Sequence, residues 1–179
     1  MVPKVQLQVS DLLHIGDQVS RLYLLAQGIA ARTPNFFDSK GPGAGDKANG
    51  QFMELLRTAA KEIFKADFSE KKACRGARYC FDFYFPNEGI AVEVALSLHN
   101  PVSEYERDIF KCLLAREEGI EVTQLIFIAR PGALSRQGAP GPRKIAALVE
   151  RLFGLCIDIL ELEPSSVAHS LSETVRKPK

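Results

Sequence analysis

Between Arg78 and Leu98 two apolar stretches flank a Pro86-Asn87-Glu88-Gly89 turn, and each stretch carries a single carboxylate. In the first, Tyr79, Phe81, Phe83 and Phe85 alternate with Cys80, Asp82 and Tyr84, the two-residue period of a strand with two distinct faces. That period predicts Asp82 on the face opposite the Phe row. In the second, Ile90, Val92, Val94, Leu96 and Leu98 fill one face, and the small residues Ala91, Ala95 and Ser97 share the other with Glu93. Paired as a hairpin, the strands let the two acids share a sheet face. Two half-buried anions are costly unless a cation, a proton or a basic group joins them. A divalent metal meets that requirement.

An Asp on one strand, then Glu-x-x on the next, then an amphipathic helix resembles the PD-(D/E)xK nuclease superfamily, the restriction-endonuclease-like fold. The residues are Phe81-Asp82 and Glu93-Val94-Ala95, with Asn100 and the helix Glu106-Arg107-Asp108-Ile109-Phe110-Lys111 behind them. In motif they look closest to the BglII/BamHI-type restriction endonucleases, and the likeness spans about Gln51 to Leu162. It implies a Mg²⁺ site, with Mn²⁺ as a substitute, made by Asp82, Glu93 and the Val94 carbonyl. It further implies endonuclease activity on DNA, as a homodimer. The third motif position departs from the pattern: where relatives carry Lys, Gln or Glu, this chain has Ala95, which neither binds a metal nor holds a proton. Lys111, Glu104 or a second water would have to assist the attacking water.

With 179 residues, 46% of them hydrophobic, the chain suits one globular domain with a single core. No apolar run reaches the ~20 residues of a membrane span, and no signal peptide opens the chain, so a cytoplasmic protein without a membrane partner is expected. Four scattered cysteines indicate reduced, mostly buried thiols rather than a zinc knuckle or disulfide framework. The net charge of +1 is weak support for a nucleic-acid binder, although an acidic site can offset a basic groove. Basic residues gather at Lys71, Lys72, Arg75 and Arg78, and again at Arg130, Arg136, Arg143 and Lys144. Arg75, Arg78, Arg107, Arg130 and Arg136 are the candidate DNA contacts, with solvated surface as the plainer reading.

Val2–Val9 alternates as a short strand or arm. Ser10 to about Ala31 has helical spacing, with Ser10 a cap and Gly16 a weak point inside. The tract Gly41-Pro42-Gly43-Ala44-Gly45-Asp46 reads as a mobile surface loop. A helix follows over Gln51–Phe64 with Phe52, Leu55, Leu56, Ala59 and Ile63 as its stripe. In the superfamily such a helix often sends a Glu to the metal; Glu54 has the usual separation, Glu62 competes with it, and a solvated acid is the bland alternative. Residues 68–78 form a polar loop with room for a short strand. After the hairpin, Ser103 and Glu106 form a capping box for a helix to about Glu118. Its residues Tyr105, Ile109, Cys112 and Leu113 face the core, and Glu104, Arg107, Asp108 and Lys111 share another side.

Eight residues of that helix bring Lys111 ~12 Å from Ser103, and three strand residues bring Ala95 ~10 Å from Leu98. If the helix folds back along the strand, the two stand level. The direction of Lys111 does not follow from this, and an exposed lysine is the default. Val122–Ala129 reads as a strand covered on both faces, Arg130–Gly141 as a loop, Pro142–Phe153 as a helix ended by Gly154, and Cys156–Leu162 as a final strand. The expected fold is therefore α/β, a mixed central sheet flanked by helices. An N-terminal helix and Gly-rich loop (1–50) precede the nuclease-like core (51–162), and a polar tail (163–179) follows it.

Two plainer outcomes stand beside the nuclease: an inert relative that binds DNA or a protein partner, with Asp82 and Glu93 paired to Arg75, Arg78 or Arg107, and a hydrolase of another phosphate ester. His99 reads as a turn cap, and His14 and His169 show no partner.

Overall fold

The computed structural model describes residues 15–38, 44–76, 78–96, 98 and 104–164, with backbone alone at 44–46. The expectations for Val2–Val9, Ser10, His14, Gly41–Gly43, His99, Asn100, Ser103 and His169 lie outside these residues. The elements run α1 (Asp17–Arg32), α2 (Ala44–Phe64), β1 (Ser69–Lys72), β2 (Cys80–Phe85), β3 (Ile90–Glu93), α3 (Glu106–Glu117), β4 (Gln124–Ala129), α4 (Ala133–Gln137), α5 (Pro140–Phe153) and β5 (Cys156–Glu161).

The strands form one sheet in the order β1-β2-β3-β4-β5. β1–β2 and β2–β3 are antiparallel, and β3–β4 and β4–β5 are parallel. The protein is thus α/β with an open mixed sheet between helical layers. Val19, Leu22, Ala26 and Ile29 of α1 recur at helical spacing and pack with Phe52, Leu56 and Ala60 of α2 against Phe83, Phe85, Ile90, Val92, Ile126, Ile128 and Leu160. On the other face Tyr105, just before α3, and Ile109, Cys112 and Ala115 of α3, with Ala133 and Val149, cover Phe81, Tyr84, Ala91, Leu125 and Phe127. β4, buried on both faces, shows the near-continuous apolar run of an internal parallel strand.

Several boundaries differ from expectation. Gly16 (φ 31°) precedes the first helix instead of weakening its middle, because the Glu88 carboxylate of the hairpin turn sits there and accepts from the Gln18 N–H at 2.9 Å. A carboxylate at that end complements the helix dipole. α2 starts at Ala44, so part of the Gly-rich tract is helical. Its buried stripe is Phe52, Leu56 and Ala60, while Leu55 and Ile63 are exposed. A five-residue helix, α4, occupies the region read as loop after Arg130. Glu163 does not begin a free tail: it exchanges hydrogen bonds with the Gln27 amide at 2.6 and 2.8 Å. Of the thiols, Cys112 alone is buried and Cys156 is exposed. No helix among the described residues is long and apolar enough to cross a membrane.

Candidate active site

The β2–β3 ladder pairs Phe85 with Ile90, Tyr84 with Ala91 and Phe83 with Val92. Beyond Val92 a side chain closes the hairpin: Asp82 Oδ2 accepts the Val94 N–H at 2.9 Å. On the other flank of β2, Ser69 faces Phe83 and Lys71 faces Phe81, and the intervening Glu70 has a left-handed backbone, φ 52°. Asp82 therefore lies just past the last β2–β3 pair and, on the other flank, opposite the left-handed Glu70. The strict alternation fails at the same point. Phe81 leaves the Phe83/Phe85 layer and stacks on Tyr84, ring centroids 5.9 Å apart, so Asp82 does not oppose one continuous Phe row. β3 likewise ends at Glu93 rather than Leu98, and the chain turns, with the Leu98 N–H donating to the Ala95 carbonyl at 3.2 Å.

Glu93, the last residue of β3, is 5% exposed and faces α3. From that helix Lys111, also 5% exposed, brings its ammonium to 2.5 Å from Glu93 Oε1, 3.0 Å from Asp108 Oδ1 and 3.0 Å from the Cys80 carbonyl. Three acceptors use the three N–H groups of a lysine. The expectation of an exposed Lys111 is thus corrected. The helix packs closely enough on the strand for its face bearing Asp108 and Lys111 to be buried, and the pair of opposite charges three residues apart makes that burial tolerable. Asp108 is 2% exposed. Sequence reading missed it as a member of the site, although its place one turn before Lys111 on the same helix face was the available signal.

Asp82, Glu93, Val94, Ala95, Glu104, Arg107 and Asp108 line one open cleft of about 280 Å³, closed on the α2 side by Asn49, Gly50 and Met53. Glu54 is exposed and is not among the lining residues; Glu62 is exposed as well. The contribution of α2 to the acids is Arg57, whose Nη2 lies 3.4 Å from Asp82 Oδ1. The cations beside the two acids are therefore Lys111 and Arg57, not Arg75, Arg78 or Arg107. Arg107, its side chain 53% exposed, lines the cleft and donates to Asp108 at 3.2 Å. Arg75 and Arg78 are exposed, Arg75 beside a separate depression with Lys71 and Lys72. Arg130 donates to Asn49 at 2.9 Å and covers the Phe36 ring, and Arg136 donates to the Leu98 carbonyl at 3.2 Å. The five candidate arginines do not converge; Arg107 alone is at the cleft.

The electrostatics follow from burial. Loss of water raises the Asp82 carboxyl above its ordinary value despite the Val94 N–H, Lys111 and Arg57. Burial first, then the charge of Asp108, pushes Glu93 up to about 8, against the pull of Lys111. Burial also opposes the Lys111 ammonium, but Glu93 and Asp108 together outweigh it and its pKa is raised, so it stays charged at neutral pH.

A raised carboxyl pKa has a definite sign in stability. The folded chain retains a proton on Glu93 that the unfolded chain releases near 4.5, so this contribution is complete below that pH and is lost as pH rises through about 8. Glu93→Gln removes the titration. Its melting temperature, relative to the unaltered chain, should become steadily more favourable between about pH 5 and pH 8. A difference that stays constant across that range would contradict the assignment.

Among the described residues no group of three or more His, Cys, Asp or Glu side chains is arranged to hold a metal ion. The donor set on offer is the pair Asp82 and Glu93, followed in the chain by Val94. Mg²⁺ commonly takes one or two carboxylates and completes its shell with water and phosphate oxygens. Two acids lining one open cleft match that donor chemistry, and an ion there would share Glu93 with Lys111 and Asp82 with Arg57.

The fold and cleft define an α/β protein with a buried acid and lysine cluster at the mouth of a splayed hairpin. No protein-family model, curated protein or solved structure matches this chain.

Proposed function

We propose that this chain is a Mg²⁺-dependent DNA endonuclease of the restriction-endonuclease-like kind, working as a homodimer. The observation that carries the reading is the convergence of Asp82 and Glu93 on one cleft, with the Lys111 ammonium 2.5 Å from Glu93. Asp82, Glu93 and the Val94 carbonyl would hold the ion. When bound, Mg²⁺ would polarise a phosphate oxygen and acidify a water. Lys111 takes the electrostatic part that a strand lysine has in the superfamily, from a helix instead. Being protonated, it does not act as base: held by Glu93, Asp108 and the Cys80 carbonyl, its charge would act from behind Glu93 on the negative charge gathering on the phosphoryl oxygens. The Ala95 methyl leaves room beside the acids, and Glu104 on the cleft wall would take the proton of the attacking water as the bond from phosphorus to the leaving sugar oxygen breaks and that oxygen takes a proton from solvent. Arg107 at the rim meets a backbone phosphate.

Incubation of the full chain with supercoiled plasmid and Mg²⁺ tests this reading. Nicked or linear DNA is expected, with the rate lowered about 10³-fold in Asp82→Asn, which keeps an oxygen for the Val94 N–H while removing a principal electrostatic group. No cleavage, or cleavage indifferent to that substitution, rejects the reading.

The second reading is a non-catalytic protein of the same fold that binds DNA or a protein partner. It is favoured by Ala95 and by Lys111, which already holds Glu93 and Asp108 in ion pairs. It requires binding that persists in chelator and in Glu93→Ala.

A further inference from the structure

We infer that Arg57 is an exchangeable counter-ion of Asp82, one that yields its place to a divalent cation and withdraws onto Glu70. The inference rests on the metal reading proposed above and names a positioning residue for it.

Arg57 spans two acids unequally. Its Nη1 lies 2.8 Å from Glu70 Oε1 as an ion pair, and its Nη2 donates a long hydrogen bond of 3.4 Å to Asp82 Oδ1. Its Nε is buried without a hydrogen-bond partner, so the guanidinium is only partly satisfied where it sits. The long contact and the unpartnered Nε make Asp82 the weaker of the two holds on the guanidinium.

Glu70 is the second part of the device. Its left-handed backbone interrupts the β1–β2 ladder opposite Asp82, and the edge strand thereby brings a carboxylate to the far side of the guanidinium. Arg57 thus has an anchor that persists when Asp82 turns to another cation. A divalent ion at about 2.1 Å brings twice the charge closer to the same oxygen. Because the Glu70 side chain is 63% exposed, the guanidinium can move toward water as it leaves Asp82. In the absence of an ion, the same residue limits repulsion among Asp82, Glu93 and Asp108.

Binding of Mn²⁺ alone to the full chain, followed by calorimetric titration, tests the exchange. Arg57→Gln should bind Mn²⁺ about tenfold more tightly than the unaltered chain, because the competitor is gone. Glu70→Gln should bind it several-fold more weakly, since Arg57 is then left to Asp82 alone. The two effects should be non-additive: with Gln at position 57, the substitution at Glu70 should leave the dissociation constant unchanged. A general effect of surface charge would instead act equally in both backgrounds and would overturn the inference, as would unchanged affinity in Arg57→Gln. If Arg57→Gln does not fold, Arg57→Met replaces it. Methionine keeps much of the apolar stem but carries no charge, so the Glu70 effect should again disappear. Failure of the metal reading has a separate signature: no Mn²⁺ binding by the unaltered chain or by either variant, which overturns both proposals. Binding with additive effects overturns only this one.

Discussion

Lys111→Ala should destabilise the fold by about 3–5 kcal/mol at pH 8, the usual cost of leaving a buried charge without its partner. The ammonium is the shared cation of Glu93 and Asp108, both nearly inaccessible to water, and it also satisfies the Cys80 carbonyl. Its removal strands two carboxylates side by side. At about pH 5 the penalty should shrink, because Glu93, whose pKa burial already pushes up, then takes a proton. Urea unfolding at both pH values measures the difference. Lys111→Met should recover the packing of the stem but not the charge, and so restore only part of the stability. A loss under about 1 kcal/mol, or the same loss at both pH values, would show that the cluster is solvated and not buried.

Phe85→Ala should cost a similar ~3–5 kcal/mol through a different cause, a cavity. Phe85 is fully buried at the turn end of β2, with the Phe64 ring 5.5 Å away and the Phe68 ring 5.1 Å away. These contacts tie the hairpin to the end of α2 and to the residue before β1. No titrating group faces the ring in those contacts, so the loss should be nearly equal at pH 5 and pH 8, in contrast to Lys111→Ala. Chemical unfolding of both variants in the same buffers separates the two causes. A marked pH dependence for Phe85→Ala would mean that the hairpin and the acid cluster are energetically one unit.

Much of the fold was legible because it follows periodicity. The alternation of Phe83, Phe85, Ile90 and Val92, the continuous apolar run of β4 and the helix stop at Gly154 each rest on local chemistry and recur in the structure. Where local and tertiary preferences conflict, periodicity misleads. Val94 to Leu98 keep an apolar alternation, yet the strand ends at Glu93 because the next amide goes to the Asp82 side chain. The Gly-rich tract reads as loop, yet the helix begins inside it at Ala44 and runs through Gly45. The level of Lys111 along the strand was accessible to simple length arithmetic; its burial was not, since the face a helix turns inward is decided by packing. Arg57 was missed for a related reason. Its significance depends on a neighbour 25 residues away in sequence and on a backbone kink at Glu70, neither of which has a local signature.

The last rung of the β2–β3 hairpin is built from a carboxylate instead of a peptide group. A peptide rung is indifferent to protons and salts, whereas this one responds to both. Whatever changes the charge on Asp82 will therefore be felt in the backbone at Val94, and hydrogen exchange at that single amide becomes a reporter of the occupancy of the cleft. It also means that removing the acid to silence the chemistry loosens the sheet, so an asparagine, which keeps an oxygen for the amide, is the cleaner replacement wherever chemistry and scaffold must be judged apart.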